Sequence, residues 1–219
     1  GADEEIDVRF VLRTGEIHAD LSVGAAVSRA NALIANTGMC FQGMNLVGKG
    51  FRVTAEEVVE LGYEIAALPD VIKPHFNARD LMQNGAPCWV IDLFGFTAEE
   101  AQEQYPSLYN RLLVRVKPER DLNKRDSRRR NWWLFGEPVG RLRKAWAGLQ
   151  RVVLTPETAK HRVFVFEPMP FCPDHKLYAI ASDDALVLGL LSSRISALWA
   201  LAAGGRMGVG NDPVFNNTR

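Results

Sequence analysis

A cluster of five basic side chains lies in the middle of the chain: Lys124, Arg125, Arg128, Arg129 and Arg130. Two aromatic residues, Trp132 and Trp133, follow directly. Mobile cations that reach outward suit phosphate contacts, and indole rings can stack on bases, so this segment predicts a surface for nucleic acid. The alternative is a solvated charged turn in which Asp121 and Asp126 are the local partners. Because adjacent tryptophans rarely both face solvent, we expect at least one of the two rings in the core.

The distribution of charge along the chain supports the first interpretation. The net charge is zero overall, yet residues 1–110 carry 7 Lys and Arg against 16 Asp and Glu, whereas residues 111–163 carry 15 against 5. Such an asymmetry is typical of an electrostatic footprint. A second group of donors, Lys160-His161-Arg162, comes directly before an apolar strand. This group could hold a phosphate or form an ordinary polar turn.

Catalytic and cofactor motifs are missing from the sequence. There is no G-x-G-x-x-G loop, Walker motif, HExxH or GxSxG elbow. The segment Asn211-Asp212-Pro213-Val214 lacks the second proline and the aromatic residue of the DNA aminomethylase tetrapeptide. The four histidines are scattered without the spacing of metal ligands. We therefore expect no catalytic residue, no metal and no cofactor in this chain.

Cysteine usage and hydropathy indicate the compartment. The three cysteines, Cys40, Cys88 and Cys172, are widely spaced and odd in number, which predicts free thiols rather than a disulfide framework. No apolar run approaches the ~20 residues of a membrane span, and we see no secretory signal pattern. We expect a cytoplasmic protein without a membrane partner.

Hydrophobic alternation predicts the strands. Residues 6–13 alternate and are expected to pair with 17–21 in a hairpin, and the glycines of 38–50 predict loops with close backbone approach. Further strands are expected at 88–94, 151–155, 162–167 and 176–181. Because helices do not alternate regularly with these strands, the sequence predicts a mixed α/β domain of the α+β class. Its sheet is expected to be irregular, mainly antiparallel and packed by helices.

Helix boundaries are marked by capping residues. Thr54 and Thr97 are each followed three residues later by Glu, the pattern of a capping box, and Gly62 is a plausible stop for the first helix. Pro106 is expected to open a helix that Pro118 ends. The apolar face of that helix is predicted to hold Leu108, Leu112 and Val116. Two more helices are expected, at 139–147 and from Ser182-Asp183-Asp184 to about Ala203, where Gly204 and Gly205 end the second.

Three stretches in order resemble single-chain restriction–modification enzymes of the type IIG/IIL class and their solitary methylase relatives. The first two are VKPERDLNKRDSRRRNWWLFGEP at 116–138 and LQRVVLTPETAKHRVFVFEP at 149–168. The third, at 174–201, carries a D..L..IA.DD....G.L.SR...LWAL type of pattern. The resemblance covers residues 85–219 well and residues 1–84 loosely.

The resemblance implies a target-recognition domain of a larger protein. Residues 1–35 would be the end of a methyltransferase domain or a linker hairpin, and residues 36–219 a DNA target-recognition domain truncated at its C-terminal end. The parent would be a site-specific DNA N6-adenine methyltransferase, sometimes with an endonuclease. Its S-adenosyl-L-methionine (SAM) would bind in the domain missing here. Double-stranded DNA and the methyltransferase domain would be the partners.

The family also implies which residues read bases. Base identity is set largely by side chains in the loop after the last long helix, at positions that correspond to Gly210, Asp212 and Val214. Family members often place Glu and Arg at the first two positions, so the target here is expected to differ. Asp212 can only accept hydrogen bonds, which suits the amino group of cytosine or adenine, and we hypothesise cytosine. Val214 could touch a thymine methyl group. The alternative is a Gly-rich helix terminator that binds nothing.

The expected DNA-backbone contacts are all basic: Lys124, Arg125, Arg128, Arg129, Arg130, Lys160, Arg162, Arg194 and Arg206. Arg194 has the alternative of an ion pair with Asp183 or Asp184. Two other functions stay open on the sequence. One is a separate-chain specificity subunit, although neither heptads nor a duplication is seen, and the other is a protein-interaction module of a restriction or phage-defence complex. An intact enzyme is disfavoured by the missing motifs.

Overall fold

The computed structural model describes residues 12, 14–15, 30–83, 88–207, 212–215 and 217. The hairpin predicted for 6–13 and 17–21 lies outside the described residues, apart from Leu12, and so does the predicted base reader Gly210.

The first sheet carries most of the strands predicted in the C-terminal half. Its order is β1 (Cys40–Gln42), β8 (Leu177–Ile180), β5 (Arg151–Pro156) and β6 (Val165–Pro168), numbered along the chain. All neighbouring strands are antiparallel. The three strands predicted at 151–155, 162–167 and 176–181 are confirmed with slightly different ends. Strand β1 lies inside the Gly-rich stretch, where only loops were expected.

The second sheet is assembled from distant parts of the chain. Its order is β2 (Arg52–Val53), β4 (Cys88–Ile91), β3 (Ile72–Phe76) and β7 (Cys172–Pro173). Only the β3–β7 pair is parallel. A further antiparallel pair joins β9 (Arg206–Met207) to β10 (Asp212–Pro213). With these mostly antiparallel sheets and the helices between them, the predicted α+β class is confirmed, although two four-stranded sheets replace the single sheet that was expected.

Both predicted capping boxes are present. The Thr54 side chain accepts a hydrogen bond from the Glu57 amide at the start of α1 (Ala55–Glu60), and Thr97 does the same at the start of α3 (Ala98–Gln104). Such a cap stabilises a helix by about 1 kcal/mol. The remaining helices before β5 are α2 (Ala78–Gln83), α4 (Pro106–Arg115), α5 (Lys117–Asp121), α6 (Asp126–Arg130) and α7 (Gly140–Ala145).

The long C-terminal helix expected to run to Ala203 is two helices. They are α8 (Ala185–Leu191) and α9 (Arg194–Ala203), which meet at an angle of 57°. The break occurs because the Ser193 side chain accepts a hydrogen bond from the Ser196 amide and so caps a new helix. Asp184 caps α8 and Gly204 ends α9, as the sequence predicted.

Strand residues alternate between the two faces of a sheet, so the first sheet packs against a hydrophobic cluster on each face. On β5, Val152 and Leu154 face the main core, together with Leu108 and Leu112 of α4. Val153 faces the opposite side, where it forms a second cluster that includes residues of α8 and the C-terminal segment. The first sheet is therefore covered on both faces, and its strand ends are fixed in space.

Candidate nucleic-acid interface

One end of the first sheet brings together two segments that the sequence analysis treated separately. Residues 157–162 follow β5 at this end, and residues 212–215 lie against them. Thr158 forms an isolated bridge with Val214, and the Phe215 amide donates to the Glu157 carbonyl oxygen at 2.8 Å. The donors Lys160-His161-Arg162 and the predicted base readers Asp212 and Val214 therefore share one surface.

Arg162 holds this junction together. Its guanidinium donates to the Thr155 hydroxyl at 3.2 Å, to the Pro156 carbonyl oxygen, and to the Pro213 carbonyl oxygen at 3.1 Å. It also lies 5.4 Å from the centre of the Phe215 ring. Burial lowers the pKa of Arg162, which nonetheless remains a cation. These contacts give Arg162 a positioning role, whereas the sequence suggested a phosphate contact.

The same segment is anchored by aromatic packing. The Phe215 ring meets Tyr178 of β8 and Phe164 edge-on, at centroid distances of 5.4 and 5.8 Å. Such pairs add about 0.5–1.5 kcal/mol beyond the buried area. Because Phe215 is fixed, the backbone of the preceding Asp212 and Val214 is fixed with it.

The junction combines an acidic side chain with potential hydrogen-bond donors. Asp212 and Val214 are half-buried, while Lys160 and His161 are exposed. Among the residues that the structure describes, the carboxylate of Asp212 has no hydrogen-bond or ion-pair partner. A pre-positioned acceptor beside a mobile cation can meet a base amino group and a neighbouring phosphate at the same time.

The basic segment 124–130 is locally neutralised. Arg129 and Arg130 both pair with Asp126, the partner that the solvated-turn alternative named. Arg125 and Arg128 converge on one oxygen of Glu137, at 3.3 and 2.7 Å. Hydrogen bonding from Arg130 lowers the pKa of Asp126, with the charges of both arginines adding to the effect. The exposed pairs made by Arg125, Arg129 and Arg130 contribute at most about 1 kcal/mol each, so a phosphate can replace their carboxylates at little cost, whereas the Arg128 side chain is only 13% exposed.

Lys124 is exposed and, unlike the four arginines of this segment, has no ion pair with a described residue. Asp121, the other partner expected for this segment, pairs instead with Lys117 at 2.6 Å.

A buried arginine fixes the base of the segment. Arg120, only 1% exposed, donates from Nη2 to the carbonyl oxygens of Leu46 and Leu134, both at 2.9 Å, and lies over the Phe51 ring. Burial lowers the pKa of Arg120 to about 10. Arg120 falls inside the stretch 116–138 that carries the resemblance, and this was a signal in the sequence for such a role. Its charge alone would predict an arginine in contact with solvent.

The expectation for the tryptophans is confirmed. Trp132 is 7% exposed and belongs to the main core. Trp133 is half-buried and donates its indole N–H to the Phe96 carbonyl oxygen at 2.9 Å. The two rings brace the segment instead of presenting free faces for base stacking.

A polar cleft of about 390 Å³ is lined by residues of β1, of the segment 137–141 and by Asn217. Glu137 and Arg141 line it on the side of the basic segment, and Gln42 and Asn217 also contribute. Gln42 and Glu137 are held close to each other by the backbone, because Asn45, three residues after Gln42, forms an antiparallel bridge with Glu137. Glu137, which pairs with Arg125 and Arg128, therefore lines a cleft that also contains Asn217. Gln42 and Glu137 were not predicted to be part of it.

Backbone strain marks the same cleft. Val139, which lines it, has a φ of +47°, and Val47 has the same value. A left-handed conformation is unfavourable for a β-branched residue, so surrounding contacts must impose it. Gly136 approaches Val47 closely, since a Cβ atom at position 136 would clash, 2.4 Å from a methyl group of Val47.

Helix α7 behind this cleft is tied to the second sheet by a buried ion network. Asp92, whose side chain is 1% exposed, accepts hydrogen bonds from Arg143 at 2.7 and 3.0 Å and from Lys73 at 2.8 Å. Burial acts to raise the pKa of Asp92, but the charges and hydrogen bonds of Arg143 and Lys73 together bring it below its usual value. Asp92 therefore stays ionised and orients α7.

The last two candidate cations lie on the C-terminal elements. Arg194 is exposed at the start of α9, and the described residues include no ion pair between it and Asp183 or Asp184. Arg206 is exposed on β9, opposite Pro213 of β10.

The described residues also bear on metal binding and on cysteine and histidine chemistry. They contain no cluster of His, Cys, Asp and Glu that could hold a metal ion. The three cysteines form no disulfide, and burial raises the pKa of Cys40 to about 12. Because the thiolate is the reactive form, Cys40 is a poor nucleophile. His75 is buried and donates from Nδ1 to the Cys172 carbonyl oxygen at 3.0 Å.

Within the described part of the chain, no single helix has both the length and the apolar composition to cross a bilayer, whereas the bent pair α8 and α9 passes that test jointly.

Comparison with known proteins identifies the fold. No protein-family model matches the sequence, and no curated protein matches it. Among solved structures, the chain has the fold of part of a restriction–modification enzyme. That neighbour is the type IIL restriction-modification enzyme MmeI, solved in complex with DNA, with a TM-score of 0.64 and 17% sequence identity. The likeness covers 90% of this chain but only 26% of the MmeI chain, so this chain spans about a quarter of that enzyme's length.

Proposed function

We propose that this chain is a sequence-specific recognition module for double-stranded DNA within a restriction–modification methyltransferase. It would position the duplex for adenine methylation by a catalytic domain outside these 219 residues. The observation that carries the proposal is the junction between residues 157–162 and 212–215, where an exposed lysine shares one surface with a carboxylate that has no partner among the residues the structure describes. The fold shared with part of an enzyme solved on DNA supports the same reading.

The roles of the two surfaces follow from their chemistry. The basic segment 124–130 would grip phosphates, since its arginines can exchange the carboxylates of Asp126 and Glu137 for DNA oxygens. Asp212 would accept a hydrogen bond from a base amino group in the major groove, and Val214 would contact an apolar base edge. Phosphate contacts would set affinity, and the segment 212–215 would set sequence preference.

Chemistry on the base itself would belong to a catalytic domain outside these residues. Enzymes that methylate a base must first extrude it from the duplex, so a separate domain has to hold the flanking DNA during that step. SAM would supply the methyl group there. This sequence contains neither the Gly-rich cofactor loop nor the catalytic tetrapeptide, so we assign no catalytic role to its residues.

Fluorescence anisotropy with a labelled mixed-sequence duplex tests the proposal. At about 50 mM salt the purified chain should bind the duplex, and the affinity should fall ~10³-fold or more by about 200 mM if six or more phosphates are contacted. A Lys124→Ala/Lys160→Ala variant should bind more weakly, whereas Arg79→Ala, an exposed cation on α2 outside both basic groups, should not. Absence of duplex binding at low salt, or a flat salt response, would contradict the proposal.

A protein-interaction module is the second candidate function. It is favoured by the apolar side chains that α9 exposes, among them Ile195 at 81%, Leu198 at 57% and Trp199 at 43%. Patches of this kind are often covered by a partner. A chain that bound no duplex but co-eluted with another protein of a restriction or phage-defence complex would support this candidate over the first.

A further inference from the structure

Gln42 lies at the same end of the first sheet as the proposed reading segment. It is the last residue of β1, it is exposed, and it stands opposite Tyr178 of β8. The Tyr178 ring contacts Phe215, and Gln42 lines the polar cleft together with Asn217. The side chain is therefore adjacent to the segment that carries Asp212 and Val214.

The amide of Gln42 has a defined orientation. Its Nε2 atom donates to one carboxylate oxygen of Glu157 at 3.2 Å. Because a carboxylate can only accept, the amide nitrogen and not the amide oxygen must face Glu157. The other oxygen of Glu157 accepts from Lys176 Nζ at 2.8 Å, and this hydrogen bond raises the pKa of Lys176. The carboxylate is thus held from both sides.

This arrangement leaves one acceptor and one donor of Gln42 directed away from Glu157. The amide oxygen has no partner among the described residues, and Nε2 keeps its second N–H. An acceptor and a donor side by side on one amide match the N6 amino group and the N7 atom of adenine in the major groove. No other base presents that pair on its major-groove edge.

We propose that Gln42 is a base-reading side chain for an adenine and that Glu157 is the residue that positions it. The inference rests on the proposed function, since it assumes that this surface meets duplex DNA. Glu157 connects Gln42 to the rest of the reading surface, because its carbonyl oxygen accepts from the Phe215 amide while its carboxylate holds Gln42. Fixing an amide in one orientation before binding is what a selective contact requires.

Selection from a randomised duplex library, followed by sequencing of the bound fraction, tests this role. The wild-type chain should enrich an adenine at one position, and Gln42→Ala should reduce that preference by about tenfold or more while preferences elsewhere persist. Glu157→Gln should weaken the same preference, because an amide at 157 can also donate and no longer dictates the orientation of Gln42. Gln150→Ala removes another exposed glutamine, at the opposite end of β5, and should change nothing.

The outcomes separate the two proposals. A wild-type chain that binds duplex with no base preference overturns the recognition function and the role of Gln42 together. A wild-type preference that Gln42→Ala leaves intact at every position overturns the role of Gln42 alone. Thermal unfolding of each variant verifies that it is folded, and Glu157→Gln tests the positioning role without altering Gln42 itself.

Discussion

Arg162 donates a hydrogen bond to the carbonyl oxygen of Pro213, 3.1 Å away and 51 residues further along the chain. The same guanidinium binds the end of β5 through Thr155 and Pro156. One side chain therefore couples the sheet to the segment that carries Asp212 and Val214. Under the proposed function, preference for a base would depend on a residue that need not touch the base.

Replacing Arg162 with leucine should loosen the segment 212–215. The Ala159 amide, which donates to the Pro213 carbonyl oxygen at 3.3 Å, and the Val214 and Phe215 amides should exchange hydrogen faster, because the cation that links them to β5 is gone. Hydrogen exchange followed by mass spectrometry measures the change directly. Arg162→Lys keeps the charge but loses the planar fork, so it should recover only part of the protection. Unchanged exchange in Arg162→Leu would contradict the positioning role.

Replacing Glu137 with glutamine should strengthen duplex binding at low salt. The substitution removes the carboxylate that Arg125 and Arg128 share and frees above all Arg125, whose side chain is the more exposed of the two, for a phosphate. Each added phosphate contact should steepen the plot of log affinity against log salt by about one unit. Titrations at several salt concentrations provide this slope.

The matched control for that measurement is Glu99→Gln. Glu99 is an exposed acid in the first turn of α3 and has the same change in formal charge. If both variants shifted affinity equally, the effect would come from net charge, and the release of Arg125 and Arg128 would be refuted.

Replacing Asp92 with asparagine should destabilise the fold at neutral pH by about 3–5 kcal/mol. The loss would arise because Arg143 and Lys73 are left largely buried without their counter-charge. Urea unfolding of both proteins measures the difference. Asp121→Asn, in an exposed pair with Lys117, should cost less than about 1 kcal/mol.

The pH dependence of that difference has a definite sign. The pKa of Asp92 is lowered in the folded protein, so its ionised form stabilises the fold fully above the unfolded pKa of about 3.9. The contribution is lost as the pH falls through the folded pKa. The gap between wild type and Asp92→Asn should therefore be constant near pH 7 and shrink below about pH 4. A gap that grew on acidification would be inconsistent with an ionised Asp92.

Elements set by local sequence were the ones that the sequence predicted well. The caps at Thr54 and Thr97 and the apolar face of α4 depend on residues within a few positions of each other, and all were found in place. The break between α8 and α9 also had a local signal, because Ser193 is a good N-cap residue. The apolar composition on both sides of that serine obscured it.

Features that depend on distant partners were not predictable in the same way. Strand β1 is short and Gly-flanked, and it exists because β8, some 140 residues later, supplies its hydrogen bonds. The inward direction of Arg162 and the burial of Arg120 likewise depend on carbonyl groups far along the chain. Residue type indicates that a cation is present, but only the fold decides whether it meets solvent, a carboxylate or a backbone oxygen.

Mapping of methylated bases tests the proposal that Asp212 selects a base for a DNA methyltransferase. DNA from cells that express the proposed methyltransferase containing this chain should carry N6-methyladenine within one sequence motif. An Asp212→Arg version should change that motif at one position from cytosine to guanine, because arginine donates to guanine O6 and N7 where aspartate accepts from cytosine N4. An unchanged motif, or no methylation that depends on the protein, would contradict the account.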